Sequence, residues 1–561
     1  MKINVYLLNA LDTVLDGDKP RCDTLKYAKM LRNEAFSFEL AVLVSQTESD
    51  GLWDDKMELR VTVESEIKDM ISVYTLENVP CTRIGYKLSD DWFISKKSGI
   101  YPDRLEKRKN NDFTAPIGHA RSVFFTLNEE KSDLDPGKYP VTVKVFRRDR
   151  HERSEHEKIT LVAEKSFDIE VIDAMLPKQS IMTTNWIHYD CIAHFSGTKP
   201  FSEGFFKTVR EVIRTAVING QNMVLLPAFT PPLDTPIGAE RMTVQLVKVT
   251  KENGRYVFDF SLLDKFVRMC LECGVEYFEH SHLFTQWGAK HAPKIIVREK
   301  GKSVKMFGWK TDSRSEEYKT FLTAYITELK KYIAENGLDG KFFFHISDEP
   351  NTSDLESYGD VSGFMHGLLG DLPSGDALAD YELYENGYVK TPIVATDRMD
   401  DFLGRSDNIW AYYTGMQSMD NLSNRLIGMP QERGRILGTV LYYYGIKGFL
   451  NWGFNAWHNR LARKMIDPRV SSDMDEDFVS GTSYIVYPNG KGVDMSVRLV
   501  TFRDSMQDAG VLALLESMTD RENVLGIIRK HIPDIGFNCR VSKAQLLGLR
   551  DEVNRRISEE L

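Results

Sequence analysis

KFFFHISDEP, Lys341 to Pro350, is the stretch on which the fold turns. Three phenylalanines and an isoleucine form a short apolar run that breaks into Ser347, Asp348, Glu349 and Pro350. This is the pattern of a buried strand ending at a surface where chemistry can occur. The segment before it reads as a helix, with capping-box spacing at Ser313 and Glu316 and an apolar stripe at Phe321, Leu322, Tyr325, Ile326, Leu329, Tyr332 and Ile333. Asn336-Gly337 stops it.

The same alternation of strand and helix extends in both directions. Strands are predicted at Ile181 to Tyr189, Met223 to Phe229, Val275 to Phe284, Pro392 to Thr396, Ile409 to Thr414, Lys447 to Trp457 and Tyr484 to Tyr487. Helices are predicted through Phe205 to Val217, Leu262 to Glu272, Gln431 to Tyr444 and Met495 to Leu515. About eight strands, each usually followed by a helix, predict an α/β protein with a (β/α)8 TIM-type barrel, catalytic residues lying at the carboxyl ends of the strands. An open doubly wound sheet is the alternative, and it would call for a Gly-rich phosphate loop that no strand here supplies.

Upstream of Pro177 the texture differs. Phe36 to Val44, Leu59 to Val63, Val123 to Leu127, Val141 to Phe146 and Phe167 to Ile172 are short alternating segments separated by turns such as Asp135-Pro136-Gly137. They predict an antiparallel β-sandwich over 1–176, a barrel over 177–519 and a helical segment packed on it over 520–561. Charged runs such as Arg147 to Lys158 read as solvated loops or edges.

Composition narrows the partners. A net charge of −10 argues against nucleic acid and anionic membranes, which call for concentrated basic surface. The 6 cysteines are too sparse for a disulfide framework and read as reduced thiols, with Cys270 and Cys273 as half-buried helix residues. The first residues do not read as a signal peptide, and no apolar run approaches the roughly 18 residues of a membrane span. A cytoplasmic location without membrane insertion is the expectation.

Strand ends in this scheme carry a consistent cast. Asn185, Trp186, His188 and Tyr189 close the first; Glu279, His280, His282 and Trp287 follow the third; Tyr412 and Tyr413 lie in the sixth; Asn451, Trp452, Asn455 and Trp457 follow the seventh. Aromatic planes stack on the C–H faces of a pyranose, and Asn and His pair with its hydroxyls. The expected sugar contacts are Asn185, His188, His282, Trp287, Tyr412, Tyr413, Trp452 and Asn455. His280-x-His282 with Asp348 or Asp397 could instead hold zinc, but the expectation is of no metal and no cofactor. Strict alternation puts Asp348 and Glu349 on opposite faces, so both reach one ligand only if the chain turns at the strand end.

Together with ISDEP, the motifs RNEAFSFELAV (Arg32 to Val42), GIYPDRL (Gly99 to Leu105), GFLNWGFNAW (Gly448 to Trp457), YIVYP and VRLVTFRDSMQDA (Val497 to Ala509) give a sequence that resembles glycoside hydrolase family 123 over nearly its whole length. The resemblance implies a β-N-acetylgalactosaminidase that retains configuration through the substrate's own 2-acetamido group. It carries the working pair onto Asp348 and Glu349, with an oligosaccharide or glycolipid glycan as substrate. Glu349 is then the acid and later the base, and Asp348 the acceptor of the acetamido N–H. Two other readings stand beside it: a conventional retaining glycosidase with Asp397 or Glu279 as nucleophile, and a non-catalytic glycan-binding protein.

Overall fold

The computed structural model describes residues 1–47, 55–149 and 158–561. The amino-terminal part forms two sheets. One runs in the order Lys2–Asn9, Phe36–Ser45, Ala120–Leu127, Ile71–Cys81, Gly99–Glu106, Val493–Ser496, Val486–Pro488; the other in the order Tyr27–Leu31, Lys158–Ile172, Gly137–Asp149, Lys56–Glu64, Asp112–Pro116. Pairing is antiparallel except between Tyr27–Leu31 and Lys158–Ile172. Period-two alternation explains the packing: Phe38, Leu40, Val42 and Val44 from the first sheet meet Leu59, Val61, Val143 and Ile169 from the second in one core. Phe38 stacks on Phe125 at 4.6 Å and meets the edge of Phe167 at 4.9 Å. Of the expected charged loop Arg147 to Lys158, residues 147–149 and 158 are strand, and 150–157 lie outside the described residues.

Downstream lie the parallel strands, here named β1 (Met182–Asn185), β2 (Met223–Leu226), β3 (Tyr277–His280), β4 (Phe342–Phe344), β5 (Gly375–Leu378), β6 (Thr391–Ala395), β7 (Trp410–Tyr412) and β8 (Gly448–Asn451). They form a five-stranded sheet, β1-β8-β7-β6-β5, and a three-stranded sheet, β2-β3-β4. Helices cover them outside, so strands such as MVLL and TPIVA are buried along their whole length. Both sheets feed one inner cluster, with Met223, Leu225 and Phe343 from the smaller and Ile393, Trp410, Tyr412 and Leu450 from the larger. Phe344 bridges in parallel to Ser374 beside β5, and Asn222 N–H donates to Thr183 of β1 at 3.3 Å.

Two strand assignments are corrected. Tyr484 to Tyr487 is not a parallel strand: Val486–Pro488 turns back through Asn489-Gly490 onto Val493–Ser496 and extends the amino-terminal sheet. The parallel strand that the sequence reading lacked is β5. A further four-stranded sheet (Arg255–Asp259, Lys248–Glu252, Ile295–Glu299, Lys302–Phe307) also went unpredicted.

The helix before β4 spans Glu316–Glu335, with its aromatic and aliphatic stripe buried and Gly337 at φ 63° behind it. Its N-cap is Ser315, without a side-chain capping bond, so the box expected at Ser313 is not made. Helix Val497–Met518 packs against the amino-terminal sheets, where Gln507 exchanges two hydrogen bonds with the backbone of Ala35, both at 2.9 Å. Helices Arg521–His531 and Lys543–Glu560 follow, and Arg550 of the last pairs with Glu34 at 2.6 Å. All six cysteines are unbridged. Among the described residues no helix is long and apolar enough to cross a membrane.

Candidate active site

The chain beyond β4 is bent by β5. Buried Asp376 accepts the N–H groups of Ile346 at 2.9 Å and Ser347 at 3.1 Å, while Ser347 Oγ donates to the Thr285 carbonyl at 2.8 Å. The Asp348 carbonyl then receives Trp287 N–H at 2.9 Å. Glu349 sits at φ 44°, in the left-handed region that residues bearing a Cβ rarely occupy. This is the turn that alternation required: it brings the carboxyls of Asp348 and Glu349 to the same cavity.

That cavity has a volume of about 400 Å³, within the roughly 300–1,000 Å³ typical of ligand clefts. Its floor is buried and apolar, with Trp186, Leu233, Ala377 and Leu450. Its rim is aromatic and open, with Trp287 46% exposed and Tyr86, Trp452 and Phe478 beside it. Tyr412 O–H donates to Glu349 Oε1 at 3.0 Å. Burial pushes Asp348 well above the usual carboxylate range, the neighbouring Glu349 charge adds to this, and the His345 cation opposes it. Burial raises Glu349 too, and the Tyr412 hydrogen bond partly offsets the rise. Both shifts oppose ionisation of the two carboxyls together.

Beneath the pair lies a buried ionic network. His345 is bonded through Nε2 to Glu279 and lies 3.3 Å through Nδ1 from Asp376. Glu279 also receives Thr184 Oγ1 at 2.7 Å and Trp186 Nε1 at 2.8 Å; Asp376 receives Tyr358 O–H at 2.6 Å. Burial alone would lower the His345 pKa, but the two carboxylates lift it from 6.5 to about 10. A folded value above the unfolded one means that this contribution to stability is complete below about pH 6.5 and is lost as pH rises through 10. Glu279→Gln leaves the imidazole without its main counter-charge and is expected to cost about 3–5 kcal/mol at pH 7. Thermal midpoints of wild type and variant should converge between pH 7 and 10; a gap of constant size would show that charge is not what the network contributes.

Of the expected sugar contacts, Trp287, Tyr412 and Trp452 line the cavity with Asp348 and Glu349. Asn185, His188, His282, Tyr413 and Asn455 do not line it, and each is held by other contacts. Asn185 is buried, accepting from Arg425 at 2.6 Å and donating to Gln221 at 3.3 Å. Asn455 exchanges hydrogen bonds with the backbone of His188 at 2.8 and 3.1 Å, tying the ends of β1 and β8 together. The His188 ring is held between the Trp452 carbonyl and Arg241, and burial keeps it neutral. Tyr413 lies in the outer core against Phe449. His282 is buried behind the cavity, stacked on His345 at 4.5 Å and edge-on to Trp186 at 5.0 Å. His280 points the other way, to the Tyr325 hydroxyl at 2.8 Å, so the two histidines do not converge.

The cavity also holds residues that strand-end reasoning missed: Tyr86, Asp234, Gln286, Arg460 and Phe478. Asp234 accepts Leu461 N–H at 2.9 Å and donates its own N–H to Gln286 at 2.9 Å, so that three loops distant in sequence meet at one wall. Only pairing across the fold reveals them.

A family model described as glycoside hydrolase 123, catalytic domain, matches residues 186–515. Among solved structures the chain is similar to a family 123 glycoside hydrolase from Clostridium perfringens, with a TM-score of 0.68 at 14% identity, covering 100% of this chain and 98% of that one. A family 5 mannosidase from Rhizomucor miehei gives a TM-score of 0.32 at 11% identity, covering 59% of this chain and 93% of that one. No curated protein matches the chain.

Proposed function

The chain belongs to glycoside hydrolase family 123, and from that premise we propose that it is a retaining exo-glycosidase that removes terminal β-linked N-acetylgalactosamine by substrate assistance. The observation that carries this is the left-handed turn at Glu349, which presents two sequence-adjacent carboxyls to one cavity with a buried floor. The Clostridium perfringens relative is described in terms of glycolipid glycan hydrolysis, and a glycolipid or related oligosaccharide is the substrate class proposed here. We read the two parallel sheets as arcs of one (β/α)8 barrel, with the amino-terminal sheets as a sandwich; the shared inner cluster and the Phe344–Ser374 bridge support this.

Before substrate binds, Asp348 is the favoured holder of the pair's proton, because Tyr412 donates to Glu349 and favours its ionised form. A 2-acetamido group entering the cavity brings an N–H that needs an acceptor. Asp348 accepts it far more strongly as a carboxylate than as a neutral acid, so binding favours moving the proton to Glu349, beside the glycosidic oxygen. Glu349 then protonates the leaving oxygen while the acetamido oxygen attacks the anomeric carbon, giving an oxazolinium ion and the free alcohol. Ionised Asp348 offsets the positive charge that develops. Glu349, now a base, takes a proton from water as that water opens the oxazolinium with net retention.

The conventional two-carboxylate reading has no observation in its favour. Glu279 is fully buried and bonded to Thr184, Trp186 and His345, and neither it nor Asp397 lines the cavity. The test is release of aryl alcohol from the β-glycosides of N-acetylgalactosamine, N-acetylglucosamine and galactose at matched concentration. Cleavage of the first is expected to exceed that of the galactoside by at least ~100-fold, the order of one lost catalytic contribution. Equal cleavage of the galactoside would remove the acetamido group from the mechanism, and no cleavage of any would favour a glycan-binding protein.

A further inference from the structure

The connection between strands Ile71–Cys81 and Gly99–Glu106 is long for two strands paired at Cys81 and Gly99. Residues 82–98 leave the amino-terminal sheet and carry Tyr86 to the cavity. Loops of more than about 12–15 residues without secondary structure are uncommon and usually functional.

This loop is pinned on two sides. On one side Asp90 accepts both Arg433 nitrogens at 2.7 and 2.9 Å and Asn421 N–H at 2.8 Å, while its own N–H donates to the Ser418 carbonyl at 3.1 Å. Ile94 N–H donates to Gly428 O at 2.8 Å, an approach so close that a Cβ on Gly428 would lie 2.5 Å from an Ile84 methyl. On the other side Ser480 N–H donates to Arg83 O at 2.8 Å, and Arg83 donates to Glu476 O at 2.8 Å. The two segments that hold the loop are continuous with cavity wall, at Thr414–Met416 and at Asp477, Phe478 and Thr482.

Tyr86 is thus fixed where those two walls meet. The Arg83 guanidinium lies 5.2 Å from its ring centroid, and its hydroxyl makes no hydrogen bond to any described residue. A half-buried, immobilised aromatic with a free hydroxyl at the open end of a cleft is suited to a sugar ring and one of its hydroxyls.

We propose that the loop 82–98 builds a leaving-group subsite, with Tyr86 contacting the saccharide next to the scissile bond, so that the amino-terminal sheets complete the active site. The proposal rests on the glycosidase reading above. The terminal sugar occupies the buried floor beside Asp348 and Glu349, leaving the rim, where Tyr86 lies with Trp287 and Phe478, for the sugar that departs.

The test compares kcat/KM for two substrates, the methyl β-glycoside of N-acetylgalactosamine and an oligosaccharide ending in the same β-linked sugar. A methyl group ends short of the rim, whereas a saccharide extends into it. For Tyr86→Ala the loss on the oligosaccharide should exceed the loss on the methyl glycoside by about tenfold, the size of one aromatic contact. Tyr86→Phe, which keeps the ring, should recover most of it. Equal losses on both substrates, or none on either, would overturn the subsite while leaving the glycosidase reading intact. Wild-type protein that cleaves neither substrate would instead defeat the glycosidase reading, and the subsite with it.

Discussion

Glu349→Gln is expected to lower kcat/KM by about 10³–10⁴-fold on an oligosaccharide or other β-glycoside with a poor leaving group, the upper part of the range for a general acid. On a dinitrophenyl glycoside the loss should shrink to roughly tenfold, because a leaving group that departs as a stable anion needs no proton. The geometry behind this is the Tyr412 hydrogen bond at 3.0 Å, which fixes the carboxyl that would donate. Glutamine keeps the shape and that acceptor but has no acidic proton. Measuring both substrates with one preparation separates lost acid catalysis from misfolding, which would lower both alike. A uniform loss in a variant with an unchanged thermal midpoint would reassign Glu349 to a binding role.

What the sequence discloses about this fold depends on how local the cause is. The run Phe342–Phe344 is legible because a parallel strand covered on both faces must be apolar throughout. Strand β5 was not, because its second residue is Asp376. That carboxylate is tolerated in the core only through Ile346, Ser347, Tyr358 and His345, partners that no local pattern reveals. The strand count came to about eight only because Tyr484 to Tyr487, an apolar run paired elsewhere, took the place of β5. The four-stranded sheet was more accessible: alternating KVTKE and RYVFD flank Asn253-Gly254, a strong hairpin signal, and both turn residues adopt the positive φ that it implies.

The site divides in the same way. Asp348, Glu349, Trp287, Tyr412 and Trp452 share the cavity because each lies at or beyond a strand end on the side that faces it. Asn185, His188 and Asn455 have the same address and a different task. Strand ends leave backbone groups unpaired, and buried polar side chains satisfy them, as Asn455 does for both N–H and C=O of His188. From one sequence, a polar residue that closes a strand and one that binds a sugar look alike. The rim residues are harder still, since Tyr86 precedes β1 and belongs to the other sheet system.

Asp348→Asn is expected to lower kcat by about 10²–10³-fold, comparable to removing one preorganised group that stabilises transition-state charge. Its signature differs from that of Glu349→Gln. If Asp348 orients the acetamido group and offsets the oxazolinium charge, its loss slows formation of that ion whichever leaving group departs, so dinitrophenyl and oligosaccharide substrates should suffer alike. The pH profile supplies an independent reading. In the wild type burial and the neighbouring charge both oppose loss of the last proton from the pair. The basic limb of kcat/KM, which falls as that proton leaves, therefore lies high. Asparagine removes the neighbouring charge, leaving burial and Tyr412 to set Glu349 alone, and the basic limb should move to lower pH. A basic limb that stays in place would mean that the two carboxyls are not coupled through a common proton. A loss confined to poor leaving groups would exchange the roles, making Asp348 the acid and leaving Glu349, with its Tyr412 donor, to receive the amide.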